Sequence, residues 1–143
     1  MRRIAGAALL LTVLAGNAFA EGPMPVPPIA VKPIASLDKT ASGQPITFPQ
    51  GPGRVIVAEY VIAPGAMLPL HKHPYPRFAY VLQGTLEVTD KDTDQTFTYK
   101  PGDVVVEVID QRHLGQNKGS DAVRLLVLDT TPTDVKGNVV VEK

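Results

Sequence analysis

His71, His73 and His113 are the three histidines of this 143-residue chain. Two of them stand in Leu70-His71-Lys72-His73-Pro74-Tyr75-Pro76-Arg77. Side chains alternate faces along an extended strand, so His71 and His73 point the same way and Lys72 points opposite. His113 ends a second strand-like segment far downstream. Three neutral imidazoles arranged so can converge on one metal ion, and imidazole suits zinc, copper, iron and nickel. The plainer alternative is three unrelated surface or core histidines. No serine or cysteine nucleophile has a base beside it, which argues against hydrolysis by a triad.

These histidines need strands to hold them, and strand signals dominate the middle of the chain. Arg54–Ile62 is rich in β-branched residues, and Pro64-Gly65 marks a turn. Arg77–Gln83 and Thr85–Thr89 flank Gly84 as two more strands. Asp90–Gln95 is a polar hairpin tip, and Thr96–Tyr99 alternates again. Pro101-Gly102 turns into Asp103–Ile109, and Ala122–Asp129 is a last strong strand. No stretch carries a sustained helical period. Many short strands with proline and glycine at the turns predict an all-β barrel or sandwich. Phe78, Tyr80, Phe97, Tyr99 and Val106 are candidates to line a cavity, or simply core.

The ends read differently. Met1-Arg2-Arg3, the apolar run Ile4–Ala15 and the small-x-small site Ala18-Phe19-Ala20 predict a signal peptide (residues 1–20) cut after Ala20. The apolar run is short of the roughly 20 residues that span a bilayer, so no stable membrane anchor is expected. The product is expected to be periplasmic or secreted. Cysteine is absent, so no disulfide forms. Cleavage lowers the 14 basic side chains by two against 14 acidic ones, a formal charge of −2, and no basic cluster points to nucleic acid. Residues 21–49 are an arm whose segment 22–35 holds five prolines. Proline fixes φ and removes donors, so the arm is expected to be extended, packed across the barrel or a partner, or solvated. Residues 131–143 are a C-terminal tail.

The block from Gly65 through His71, His73 and Arg77 to Gly84 resembles the first motif of the cupin superfamily: Gly, five residues, His-x-His, three or four residues, Glu, six residues, Gly. Every spacing fits, but Arg77 stands in the slot of the glutamate. Pro101-Gly102-Asp103 through His113 to Asn117 resembles the second motif. It keeps the His-x3-Asn ending, with Val108 and Asp110 where proline and glycine are usual. Sixteen residues (85–100) separate the blocks. The resemblance covers roughly residues 50–130 and implies an all-β, RmlC-like jelly-roll barrel with a metal site inside. A guanidinium has no lone pair for a metal, so the usual three-histidine-plus-glutamate set is broken at Arg77.

What the resemblance implies is one divalent transition metal (iron, zinc, copper, nickel or manganese) held by His71, His73 and His113. Two functions stay open. One is a metal-dependent enzyme of dioxygenase, lyase or isomerase type acting on a small organic, anionic substrate. The other is a non-enzymatic module that binds metal or a small metabolite. Arg77, Glu107 and Tyr80 are the catalytic candidates, with Arg77 suited to clamp a substrate carboxylate bidentately. Glu107 either pairs with Arg77, faces solvent, or reaches the metal as a substitute ligand. Asn117 is expected to hydrogen-bond near the barrel mouth. Family members are often dimers, so a homodimer is implied by analogy.

Overall fold

The computed structural model describes residues 28–142. The signal-peptide segment lies outside the described residues. By its internal contacts the chain divides after Lys32, and the unit beginning at Pro33 is the barrel.

The barrel is all β, as its residue pattern predicts. Among the described residues nine strands follow in order: β1 (Gly53–Ile62), β2 (His71–Lys72), β3 (Arg77–Gln83), β4 (Leu86–Asp90), β5 (Thr96–Tyr99), β6 (Val104–Val106), β7 (His113–Gln116), β8 (Val123–Pro132) and β9 (Val140–Val141). They form a four-stranded sheet in the order β1-β8-β3-β6 and a five-stranded sheet in the order β5-β4-β7-β2-β9, and the named pairings are antiparallel. Among the described residues no helix is long and apolar enough to cross a membrane.

Period-two burial drives the sheets together. Ala79 and Val81 of β3, Leu86 and Val88 of β4, and Val123, Leu125 and Val127 of β8 turn inward. With Ile62 and Val105 they form one buried cluster, and Tyr60, Ala66, Leu68 and Tyr99 pack against it. Burying a Val or Leu side chain contributes about 1.5–3 kcal/mol, so this cluster is the main source of stability. Gly84 closes the β3–β4 corner at φ +76°. A Cβ there would lie 2.7 Å from the Ala122 carbonyl oxygen, so the corner requires glycine.

Three segments depart from expectation. The strand expected over Asp103–Ile109 stops at Val106. One further bond, Glu107 N–H to Arg77 O, holds it to β3 before the chain turns away, and Asp110 adopts φ +55°. The arm takes over the main chain at Val106 and Ile109, while Asp110 N–H donates to His73 O at 2.8 Å. Asp38–Ile46 folds back on itself, and Gln44 donates to and accepts from the main chain of Ile109, both at 2.9 Å. Ala41 N–H also donates to Val106 O at 3.0 Å. Next, His113 opens β7 instead of ending a strand. Finally, the tail residues are structural: β8 runs on to Pro132, and β9 adds to β2 with Val141 opposite His71.

Candidate metal centre

β2 and β7 lie side by side with His71 directly opposite His113. Alternation carries His73 to the same side as His71, while Lys72 turns outward to pair with Asp110 at 2.9 Å. The three rings converge, with centroids 4.5–4.9 Å apart. All three histidines are buried, His73 completely.

Each ring is oriented by a main-chain carbonyl. His71 Nδ1–H donates to Pro69 O at 2.7 Å, His73 Nδ1–H to Asn138 O at 2.7 Å, and His113 Nδ1–H to Gln111 O at 2.9 Å. A carbonyl only accepts, so the partners place the proton on Nδ1 and leave Nε2 with a lone pair. Locking the tautomer through the second nitrogen is how proteins prepare histidine to ligate.

The fourth donor is Glu107, just past β6. Its Oε2 lies 2.7 Å from His73 Nε2 and 3.1 Å from His113 Nε2. His71, His73, His113 and Glu107 together offer one ligand atom each, all within 4.8 Å of one another. A divalent ion with donors at about 2.0–2.1 Å keeps them within roughly 4.2 Å of one another, and the separations here are of that order. His73 Nε2 is buried without a hydrogen-bond partner. A lone pair facing a carboxylate at that range calls for a cation between them. The residues therefore fit a metal ion.

The charges follow the same logic. Burial holds His71 down to about 4, and the neighbouring His113 and His73 add to this against the Pro69 carbonyl. Burial would also lower His113, but the Glu107 carboxylate outweighs it and raises His113. Burial would raise Glu107, yet the His113 and His73 imidazoles set against its carboxylate outweigh this and hold it well below the usual carboxylate range. Tyr99 is pushed up to about 12, first by burial and then by the charge on Glu107.

The Arg77–Glu107 pair considered from the sequence does not form through the side chains. Glu107 N–H donates to Arg77 O at 3.0 Å, so the residue just past β6 sits beside the start of β3. The Arg77 side chain instead grips Asp129 of β8 through Nε–Oδ1 at 2.7 Å and Nη2–Oδ2 at 2.8 Å. Burial works against the guanidinium, and the bond to Asp129 more than offsets it, so Arg77 is raised. With two nitrogens committed, Arg77 has no bidentate fork left for a substrate carboxylate. The carboxylate missing from position 77 is supplied from just past the end of β6, so the site offers four donors rather than three.

Tyr80 lies outside this cluster. Arg77, Ala79 and Val81 are buried on the inner face of β3, and Phe78 and Tyr80 alternate onto the other. Phe78 stacks there on Phe48, with centroids 6.2 Å apart. The tyrosine at the site is Tyr60 of β1, whose ring lies 5.5 Å from the Arg77 guanidinium carbon. Its inward register, shared with Ile56, Ala58 and Ile62, was the signal available in the sequence. Asn138, in the tail, was also missed. It is buried, donates through Nδ2 to Asp129 Oδ1 at 2.8 Å and Tyr75 O at 2.9 Å, and accepts from Tyr75 N–H at 3.0 Å. Asn117 is buried as well and donates to Ile62 O and Asp121 O, tying the β1 end to the loop before β8.

Known structures share this architecture. An uncharacterized conserved protein with a double-stranded β-helix domain from Klebsiella pneumoniae matches with a TM-score of 0.50 and 20% identity, over 61% of this chain and 69% of that one. An RmlC-like cupin family protein from Methanocaldococcus jannaschii matches with a TM-score of 0.50 and 23% identity, over 54% and 70%. A DMSP lyase from Ruegeria pomeroyi matches with a TM-score of 0.51 and 21% identity, over 61% of this chain but 42% of the lyase. At these identities the likeness concerns the fold. A search of curated proteins finds no match. The cupin-domain family model matches residues 58–129, from β1 through the whole donor cluster to Asp129. With that match and a two-sheet barrel closing around its His-x-His strand, the chain belongs to the cupin family.

Proposed function

We propose that this is an exported metal-dependent enzyme acting on a small organic anion, with one divalent transition-metal ion held by His71, His73, His113 and Glu107. The observation that carries the reading is the convergence of three carbonyl-oriented Nε2 atoms and one carboxylate oxygen. A metal bound there would supply Lewis-acid or redox chemistry of the dioxygenase, lyase or isomerase type. The chain's own part is to hold the donors deprotonated and oriented, and to exclude bulk water from buried His73 and His113. A cavity beside His71 supports an enzyme over a closed storage site, because catalysis needs room for a substrate next to the donors.

The test is metal analysis of protein purified from the exported fraction, followed by turnover assays with that metal on thiols, enols, sugars and organic acids. Stoichiometric metal with turnover that Glu107→Ala abolishes supports the reading. Metal without turnover on any of these classes turns it into a binding module, and absence of metal overturns it. Export is read separately: the mature N-terminus is expected at Glu21, and retained residues 1–20 would overturn that part.

A further inference from the structure

The cavity beside the donor cluster has a volume of about 200 Å³. Leu68, Val139 and Val141 make its walls apolar, and its polar groups come from His71, Tyr60 and Arg77. Arg77 commits Nε and Nη2 to Asp129, which leaves Nη1 as the free corner of the guanidinium. Nη1 lies 3.5 Å from Tyr60 Oη, at the outer limit of a hydrogen bond. Both groups therefore keep donor capacity for a third atom. An N–H and an O–H side by side, one of them cationic, suit a single anionic oxygen.

Charge and size narrow the class. Arg77 and Asp129 cancel. A divalent ion on three neutral histidines and the Glu107 carboxylate leaves one surplus positive charge. One anionic group balances it, and two leave a buried charge unpaired, which is unfavourable. At about 30 Å³ per water-sized group, the cavity takes about six or seven non-hydrogen atoms. The walls ask that most of them be carbon.

We propose that the cavity is the substrate subsite for short-chain monocarboxylates of about four or five carbons, with the carboxylate at Tyr60 Oη and Arg77 Nη1 and the alkyl body against Leu68, Val139 and Val141. This rests on the metal centre proposed above. It assigns Tyr60 a direct role in binding and disfavours dicarboxylates.

The probes are butanoate, its neutral isostere butanamide, and succinate, titrated calorimetrically into cobalt-loaded protein whose visible spectrum reports the donor set. Butanoate is expected to bind about tenfold or more tightly than either of the others. Tyr60→Phe keeps the ring and removes the hydroxyl, and is expected to weaken butanoate about tenfold with the cobalt spectrum of the ligand-free protein unchanged. Val141→Trp, at a 57% exposed position on the cavity wall, is expected to block butanoate while cobalt content stays the same. Equal affinity for butanoate and butanamide, or butanoate binding indifferent to both substitutions, overturns the proposal and leaves the metal centre standing. Wild-type protein that retains no cobalt overturns both.

Discussion

Arg77 and Asp129 face each other across the β3–β8 ladder and join through two parallel hydrogen bonds, Nε to Oδ1 and Nη2 to Oδ2. Both are buried, Arg77 at 4% and Asp129 at 6% exposure. Removing one partner strands the other charge, so Asp129→Ala is expected to destabilise the barrel by about 3–5 kcal/mol. Arg77→Glu is expected to do the same by setting two carboxylates against each other. Adding Glu107→Gln is not expected to rescue it, because Glu107 engages the histidines instead. Urea unfolding of the three variants checks this, and full rescue by the second substitution would count against the observed pairing.

Glu107 is the fourth donor, in one of the three roles that the sequence leaves open to it. Glu107→Gln keeps the shape and removes the charge. Metal affinity is expected to fall about 10–100-fold, by analogy with the effect of altering groups around a metal shell, while the fold is kept. Competition with a chelator of known affinity measures the change. An unchanged affinity would leave a three-histidine site.

Asn138 connects the ion pair to the donor set. Its carbonyl orients His73, and its side chain ties Asp129 to the Tyr75 main chain. Asn138→Ala leaves the carbonyl in place but frees it to drift. It is expected to lower metal affinity about tenfold, with faster release of metal to the chelator. Loss of stability with metal release unchanged would restrict Asn138 to a purely structural part.

Acid acts in opposite directions on two of the histidines in the metal-free protein. His71 titrates near 4 in the fold against 6.5 ordinarily, so the unfolded chain takes up a proton first and stability falls as pH drops from 6.5 towards 4. Glu107, held low, adds to that loss at the acid end. His113 is raised, so the stability its pairing contributes is complete below 6.5 and is lost as pH rises through its folded value. The metal-free melting temperature is thus expected to peak near pH 6.5. Metal binding needs deprotonated donors, so loaded protein is expected to lose stability steadily on acidification. Melting curves with and without metal from pH 4 to 9 test this, and a loaded protein that peaks like the metal-free one would contradict it.

The sequence by itself determined that the barrel is all β and where several of its strands run. β-branched runs punctuated by glycine and proline could hardly be helical, and β3 and β5 stand where alternation puts them. Once the segment is extended, two-residue spacing places His71 and His73 on one side, because alternation follows from backbone geometry alone. The lack of a lone pair on Arg77 excluded it as a ligand for an equally local reason.

The partners of those groups depended on distances in space that local pattern does not encode. Whether Glu107 reaches a metal, an arginine or solvent turns on where β6 ends. Gln44, more than sixty positions away, holds the main chain at Ile109 in that bend. Asp129 was legible as the end of a strand, but its pairing with Arg77 needed the β3–β8 register. Asn138 reads in sequence as part of a polar tail, and it matters because β9 returns the chain to β2 beside His71. Tyr60 and Tyr80 are both strand tyrosines, and alternation turns Tyr60 inward and Tyr80 outward, but that Tyr60 meets Arg77 needed β1 and β3 to flank β8 in one sheet. Side-chain chemistry is local and can be read from one residue, whereas a site is a set of distances that the closed barrel alone sets.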